Sequence, residues 1–212
     1  MEFLQPTFLL AVLVALTVHE FAHAYVAYKL GDHTAKLEGR LTLNPIAHLD
    51  PMGTILFLLV GFGWGKPVPV NPYFFKKPLR DNAITAFAGP LSNLILAFAS
   101  FLILAIGLSI SVGSGNPWSL LSHTAASNSL VMAFFIDFLQ TSLFVNLGLM
   151  AFNLLPVAPL DGSKILQAFI PLRYEDEYEQ YMRYGPFILL GLLVIGRIVS
   201  LDPLGLWIST II

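Results

Sequence analysis

The chain has 212 residues, of which 56% are hydrophobic and only 11% are charged, and its mean hydropathy is +0.75. Soluble globular proteins carry about 25% charged residues, so this composition predicts an integral membrane protein. The net charge of -2 leaves no basic surface for a nucleic acid. Because cysteine is absent, disulfides, iron–sulfur clusters and thiolate metal sites are excluded, and a transition metal would need nitrogen and oxygen ligands.

Four apolar stretches are predicted to cross the lipid bilayer. The first, residues 6–30, would extend about 37 Å as a helix, which exceeds a hydrocarbon core of about 30 Å. It lacks the basic start of a cleavable signal peptide. The other three stretches are residues 82–108, 129–155 and 185–200. The predicted fold is therefore an all-α polytopic membrane protein of about four transmembrane helices, in a single domain over residues 1–212.

The segment between the first two spans is predicted to enter the membrane without crossing it. Residues 52–62 are apolar but too few to span, with Pro51 at their start and the glycines Gly61, Gly63 and Gly65 around their end. The sequence GKPVPVNP then alternates valine with proline, which favours an edge strand, because only every second residue can donate a backbone hydrogen bond. Residues 52–71 are therefore expected to form a re-entrant or interfacial element that ends in a β-hairpin.

The basic residues indicate the orientation of the spans. Most lysines and arginines lie between the first and second spans or after the third, whereas residues 109–128 contain none. The positive-inside rule then places the basic segments in the cytoplasm, and the N-terminus and residues 109–128 outside.

The sequence HEFAH, His19 to His23, lies within the first span. Residues four apart share one face of a helix, so the two imidazoles are predicted to lie together with Glu20 beside them. This arrangement is typical of a two-histidine metal site with a general base. Ionisable groups inside an apolar helix are costly unless they pair or bind something. The alternative is a pair of histidines hydrogen-bonded to neighbouring helices, with Glu20 as their partner.

A third metal ligand is predicted from the segment NLLPVAPLDG. Catalytic zinc takes three protein ligands and keeps one position for water, and Asp161 is the candidate that completes this set. Pro156 and Pro159 must end the third span, and broken backbone at membrane depth is either buried in protein or lines a cavity. Asn146 and Asn153, on one face of that span, are expected to admit water. Alternatively, Asp161 caps the helix that follows.

Other polar and small residues are assigned structural roles. His48 and Asp50 could imitate a metal pair, but Asp50 precedes a proline and is expected to cap the short helix that begins there. Asp32 is expected to be a solvated loop residue. Gly89 and Asn93, in the sequence GPLSN, are interpreted as a pair that lets the second span approach a neighbouring helix.

These separated motifs resemble those of one enzyme family. An HExxH on an early membrane helix followed by NxxPxxPLDG is similar to the site-2 protease family of intramembrane zinc metalloproteases, and GPLSN is similar to that family's intervening helix motif. The chain resembles a short-form, prokaryotic-type member without a PDZ or CBS domain. The resemblance implies one Zn²⁺ bound by His19, His23 and Asp161, Glu20 as the catalytic base, and Asn153 as a residue that holds the substrate or its oxyanion.

The resemblance also implies what such an enzyme acts on. The expected reaction is hydrolysis of peptide bonds in transmembrane segments of membrane proteins, near the cytoplasmic side of a prokaryotic cell membrane. We hypothesise that the hairpin lies beside the zinc site, where Val68 and Val70 hold an unwound substrate by strand addition. A metal-ion transporter and a noncatalytic protein that binds membrane proteins are the alternative functions. A transporter needs no general base, so Glu20→Gln separates it from a protease.

Overall fold

The computed structural model describes residues 4–112, 130–198 and 203–212. The predicted all-helical class is confirmed, because these residues contain no β-sheet and their one antiparallel bridge joins Leu49 to Gly65. Within the described ranges the chain forms eight α-helices: α1 (Pro6–Leu30), α2 (Thr34–Leu37), α3 (Pro51–Val60), α4 (Pro78–Val112), α5 (Leu130–Asn153), α6 (Asp161–Gln167), α7 (Glu175–Ile198) and α8 (Pro203–Ile211).

Three of the described helices are long and apolar enough to cross a membrane. They are α1, α5 and the part of α4 from Pro78 to Gly107, and they coincide with the first three predicted spans. The predicted count of four is not confirmed, because α7 opens with three acidic residues and its described apolar part is too short to span. Residues 113–128, most of the predicted outer loop, and residues 199–200 of the fourth predicted span lie outside the described residues.

The helices α1, α4 and α5 pack together, and α6 packs against α4. Small residues make this packing close: Ala11, Ala15, Ala24 and Ala27 of α1 are fully buried. In a membrane, where helices gain little by hiding from lipid, such small residues allow the close contact that holds a bundle together. This bundle positions the end of α5 and the start of α6 against the middle of α1.

The short helix α3 starts one residue before the predicted segment 52–62 and ends two residues before its end. Asp50 Oδ1 accepts a hydrogen bond from the N–H of Gly53 at 2.8 Å, so Asp50 is the helix cap. Gly61, with φ of 75°, ends the helix. His48 is fully buried and donates from Nε2 to the carbonyl of Thr42 at 2.8 Å, which is a structural role.

The predicted β-hairpin is not formed by the described residues. Residues 66–71, which we call the proline segment, have no regular secondary structure. The physical reason is that side chains take up the backbone groups that a partner strand would need. Arg40 donates to the carbonyls of Lys66 and Pro67, and the N–H of Val68 donates to the Glu20 carboxylate.

Candidate metal centre

Two histidines of α1 and one aspartate of α6 meet inside the helix bundle. The Nε2 atoms of His19 and His23 lie 3.0 Å apart, and each lies 3.1 Å from Oδ2 of Asp161. All three side chains are buried, and within the described part of the chain they form the group of candidate ligand atoms close enough to hold a metal ion. The structure thus brings together the three residues for which metal binding is predicted.

The hydrogen bond made by Nδ1 of each imidazole determines the tautomer of the ring, and Nε2 is the atom that faces the centre. Nδ1 of His23 lies 2.7 Å from the carbonyl oxygen of Thr85, which can only accept, so this Nδ1 carries a proton. Nδ1 of His19 lies 2.6 Å from Oδ1 of Asn93 and also donates. With the proton on Nδ1, the lone pair on Nε2 of each neutral ring is free for a metal.

Asn93 is oriented by a chain of buried amide groups. Its Nδ2 donates to the carbonyl of Ala15 at 3.3 Å and to Oδ1 of Asn146 at 2.8 Å, and Nδ2 of Asn146 donates to the carbonyl of Ser142 at 2.8 Å. Because a carbonyl can only accept, each amide has one orientation, and Oδ1 of Asn93 must face His19. Asn146 was expected to admit water; instead it is fully buried and holds Asn93 in place.

Gly89 allows α4 to approach the two histidines. A Cβ atom at this position would lie 2.4 Å from Nε2 of His23 and 2.6 Å from Cε1 of His19. The sequence interpretation of Gly89 as a packing residue agrees with this geometry, but the interpretation did not include the hydrogen bond from His19 to Asn93. The sequence feature that could have indicated this hydrogen bond is the spacing of four residues, which places Gly89 and Asn93 on the same face of α4.

Glu20 lies beside the centre and lines the same cavity. Its Oε2 accepts a hydrogen bond from the N–H of Val68 at 2.9 Å. The cavity has a volume of about 110 Å³, which is large enough to admit water. Its walls include the side chains for which catalysis, metal binding and substrate binding are predicted: His19, Glu20, His23, Val68, Val70, Asn153 and Asp161.

Asp161 is the first residue of α6, but it does not cap that helix. The N-cap residue is Leu160, which makes no side-chain cap bond, and the Asp161 carboxyl group is directed at the histidines instead. Its Oδ2 lies 3.1 Å from Nε2 of each histidine, so Asp161 contributes the oxygen atom of the cluster.

The helix α7 holds the segment that carries Asp161. The hydroxyl of Tyr178 donates to the carbonyl of Ser163, and that of Tyr181 donates to the carbonyl of Pro156, both at 2.5 Å. Burial, together with the neighbouring Tyr181, raises the pKa of Tyr178 to about 12, so the hydroxyl keeps its proton and remains a donor. These two bonds fix the backbone on both sides of Asp161.

The donor set fits a zinc ion. Two neutral imidazoles and one carboxylate are the protein ligands of a catalytic zinc site, with a fourth position left open. Bonds of about 2.0–2.1 Å at tetrahedral angles separate the ligand atoms by about 3.3 Å, close to the 3.0–3.1 Å found here. Three electron-rich atoms buried at this spacing repel one another unless a cation lies between them.

Comparison with known proteins gives the same chemistry. The family model of Peptidase family M50 matches residues 7–195. Three relatives carry the name "Putative zinc metalloprotease". YwhC of Bacillus subtilis is 45% identical over 191 residues, which are 90% of this chain and 81% of that protein. MJ0611 of Methanocaldococcus jannaschii is 31% identical over 195 residues, 89% of this chain and 76% of that protein. Rip2 of Mycolicibacterium smegmatis is 29% identical over 188 residues, 86% of this chain and 64% of that protein. No solved structure matches the chain.

The family match covers most of the chain, and the relatives share a name that specifies zinc and proteolysis. The buried cluster of two histidines and an aspartate fits a single zinc ion, and three helices have the length and composition to cross a membrane. The predicted cofactor and enzyme class are therefore confirmed. The protein is a zinc-dependent membrane metalloprotease, and the chain belongs to Peptidase family M50, the site-2 proteases.

Proposed function

We propose that the protein is an intramembrane endopeptidase, which hydrolyses peptide bonds in the transmembrane segments of other membrane proteins. The supporting observation is the location of the three buried donors: His19 and His23 lie within a helix of membrane-spanning length, and Asp161 packs against them from the short helix α6. In this proposal His19, His23 and Asp161 bind the zinc ion, and Glu20 is the general base.

The side chains around the cavity have distinct tasks in this proposal. When bound, zinc supplies a Lewis acid that polarises the scissile carbonyl and lowers the pKa of a water molecule. Glu20, with Oε2 held by the N–H of Val68, would take a proton from the attacking water and later donate it to the leaving amine. Asn153 donates one Nδ2 hydrogen to the carbonyl of Leu149 at 3.0 Å. Its second Nδ2 hydrogen is the proposed donor to the substrate oxyanion.

We also propose that the protein is a multi-pass protein of a prokaryotic cell membrane, with its site open toward the cytoplasm. The proline segment and the start of α6 both line the cavity. They belong to the two parts of the chain that carry most of the basic residues, which the positive-inside rule assigns to the cytoplasm.

The general-base role predicts that Glu20→Gln binds zinc but does not turn over substrate. Glutamine has the same shape and still accepts a hydrogen bond from Val68, but it cannot take a proton. We expect cleavage of a model transmembrane substrate to fall by about 10²- to 10⁴-fold, with the zinc content of the detergent-purified protein unchanged. A Glu20→Gln variant that cuts as fast as the wild type would overturn the proposed function.

We propose that the proline segment binds substrate through Val70 alone, whereas the sequence suggests both Val68 and Val70. The N–H of Val68 is already bonded to Glu20, so strand addition depends on the N–H of Val70, which has no intramolecular partner among the described residues. We expect Val70→Pro to raise KM at least about tenfold, because main-chain hydrogen bonds supply the affinity of an added strand. Val70→Ala, which keeps the N–H, is the matched control. Equal KM values for the two variants would contradict strand addition.

A further inference from the structure

Arg40 is a buried charge that acts on the backbone of the proline segment. Its side chain donates from Nη2 to the carbonyl of Lys66 at 2.6 Å and from Nη1 to the carbonyl of Pro67 at 3.2 Å. The residue is only 5% exposed, and its Nε is buried without a hydrogen-bond partner. The guanidinium group therefore binds these two carbonyls although its Nε–H is left without a partner.

Asp32 holds the other end of the same segment. Its Oδ2 accepts a hydrogen bond from the N–H of Asn71 at 2.7 Å, while Oδ1 accepts from the N–H of Thr34 at 2.9 Å. The expectation from sequence that Asp32 is solvated is wrong, because the residue is fully buried. Its carboxylate can leave water because it receives these backbone hydrogen bonds.

Neither buried charge forms an ion pair within the described residues. Burying a charge without an opposite charge is costly, and only good hydrogen bonds offset the loss of water. Here both charges bind the backbone of the proline segment, which contains two prolines and forms no sheet, and Asp32 also binds the N–H of Thr34. A segment that needed only to connect α3 to α4 would not require either charge, so its position must matter to something that it contacts.

The contact is Glu20. The carbonyl of Pro67 and the N–H of Val68 belong to one peptide group, which is planar and rigid. Arg40 binds the oxygen of this peptide group, and Glu20 accepts a hydrogen bond from its nitrogen at 2.9 Å. The orientation of this single plane therefore links the guanidinium group to the proposed base, and a cation on the oxygen side strengthens the N–H as a donor.

We propose that Arg40 and Asp32 are positioning residues for Glu20. They hold the proline segment so that the N–H of Val68 fixes the Glu20 carboxylate beside the zinc centre. Neither residue touches the zinc ligands or the substrate in this account, and the inference rests on the proposed role of Glu20 as the base.

The test is to measure kcat, KM and metal binding for Arg40→Lys and Asp32→Asn. Lysine keeps the positive charge but lacks the planar fork that serves two carbonyls, and asparagine has one acceptor oxygen where aspartate has two. For each variant we expect kcat to fall at least about tenfold, with KM rising less than in Val70→Pro, because the N–H of Val70 is retained. We expect zinc content and the visible spectrum of the Co²⁺-substituted protein to remain unchanged. Arg80→Lys, at a side chain that is 64% exposed, is the matched control and should behave as the wild type.

The double variant, which combines Arg40→Lys with Asp32→Asn, shows whether the two residues act together. Because both residues act on one segment, the loss in kcat should not exceed that of the more affected single variant, whereas two independent defects would multiply. An unchanged kcat in both single variants, while Glu20→Gln is inactive, would refute the positioning role and leave the proposed function standing. A changed Co²⁺ spectrum or lost zinc in both variants would make the residues structural and would also refute it. An active Glu20→Gln variant would remove the proposed function itself.

Discussion

Replacing Asp161 with alanine is expected to remove both the zinc ion and all measurable cleavage. The two Nε2 atoms of His19 and His23 lie 3.0 Å apart, and the carboxylate supplies the only negative charge among the three proposed donors. Without it the site retains two neutral ligands, which is one fewer than catalytic zinc takes from a protein. The zinc content of the purified protein should fall from about one per chain to near zero, as measured by elemental analysis after dialysis.

The control for this change is Asp176→Ala. Asp176 is an exposed carboxylate at the start of α7, so its removal alters the net charge equally without touching the centre. This variant should retain zinc and activity. If Asp161→Ala bound zinc with the affinity of the wild type, the third ligand would have to be a different residue.

A single methyl group at position 89 is expected to disrupt the metal centre. The Cβ of alanine at this position would lie 2.4 Å from Nε2 of His23, the atom that is proposed to bind zinc. Either the ring rotates away from the centre or α4 separates from α1, and both movements break the cluster. We expect Gly89→Ala to lower zinc affinity at least about 100-fold, at or beyond the upper end of losses seen for the outer partners of metal-binding histidines, in a titration against a competing chelator.

Gly107→Ala is the matched control on the same helix. A Cβ at position 107 has no atom within 4 Å, and alanine favours a helix over glycine by about 1 kcal/mol. This variant should bind zinc normally. Wild-type affinity in Gly89→Ala would show that α4 can shift without loss of the centre, and that the close approach at Gly89 is not required.

Local periodicity made much of the centre predictable. A spacing of four residues on an apolar helix places His19 and His23 together, and costly ionisable groups in a membrane point to function. Asp161 is the best candidate for a third ligand from sequence, because a two-histidine site needs one more oxygen or nitrogen donor and Asp161 lies next to a broken span. The structure brings these three side chains together, and it also ends α5 before Pro156 as the prolines require.

The parts that could not be predicted depend on hydrogen bonds between residues far apart in the chain. The alternation of valine and proline is typical of an edge strand, but Val68 bonds to Glu20, 48 positions earlier, and the hairpin does not form. Asp32 precedes a short polar stretch that suggests a solvated loop, yet it bonds to Asn71, 39 positions later. Asn146 carries no local sign that its partner is Asn93. Sequence periodicity predicts which residues share one face of a helix. It does not predict which residues of different segments are in contact.

The distance between the proposed ligands along the chain has a consequence for biosynthesis. His19 and Asp161 are 142 positions apart, so the ribosome has synthesised three helices of spanning length before the third donor exists. Metal binding to such a site is coupled to folding, and the newly made chain cannot complete the proposed three-ligand site until α6 has docked. With the proposed ligands, the protease would thus be inactive while its own helices are still entering the membrane.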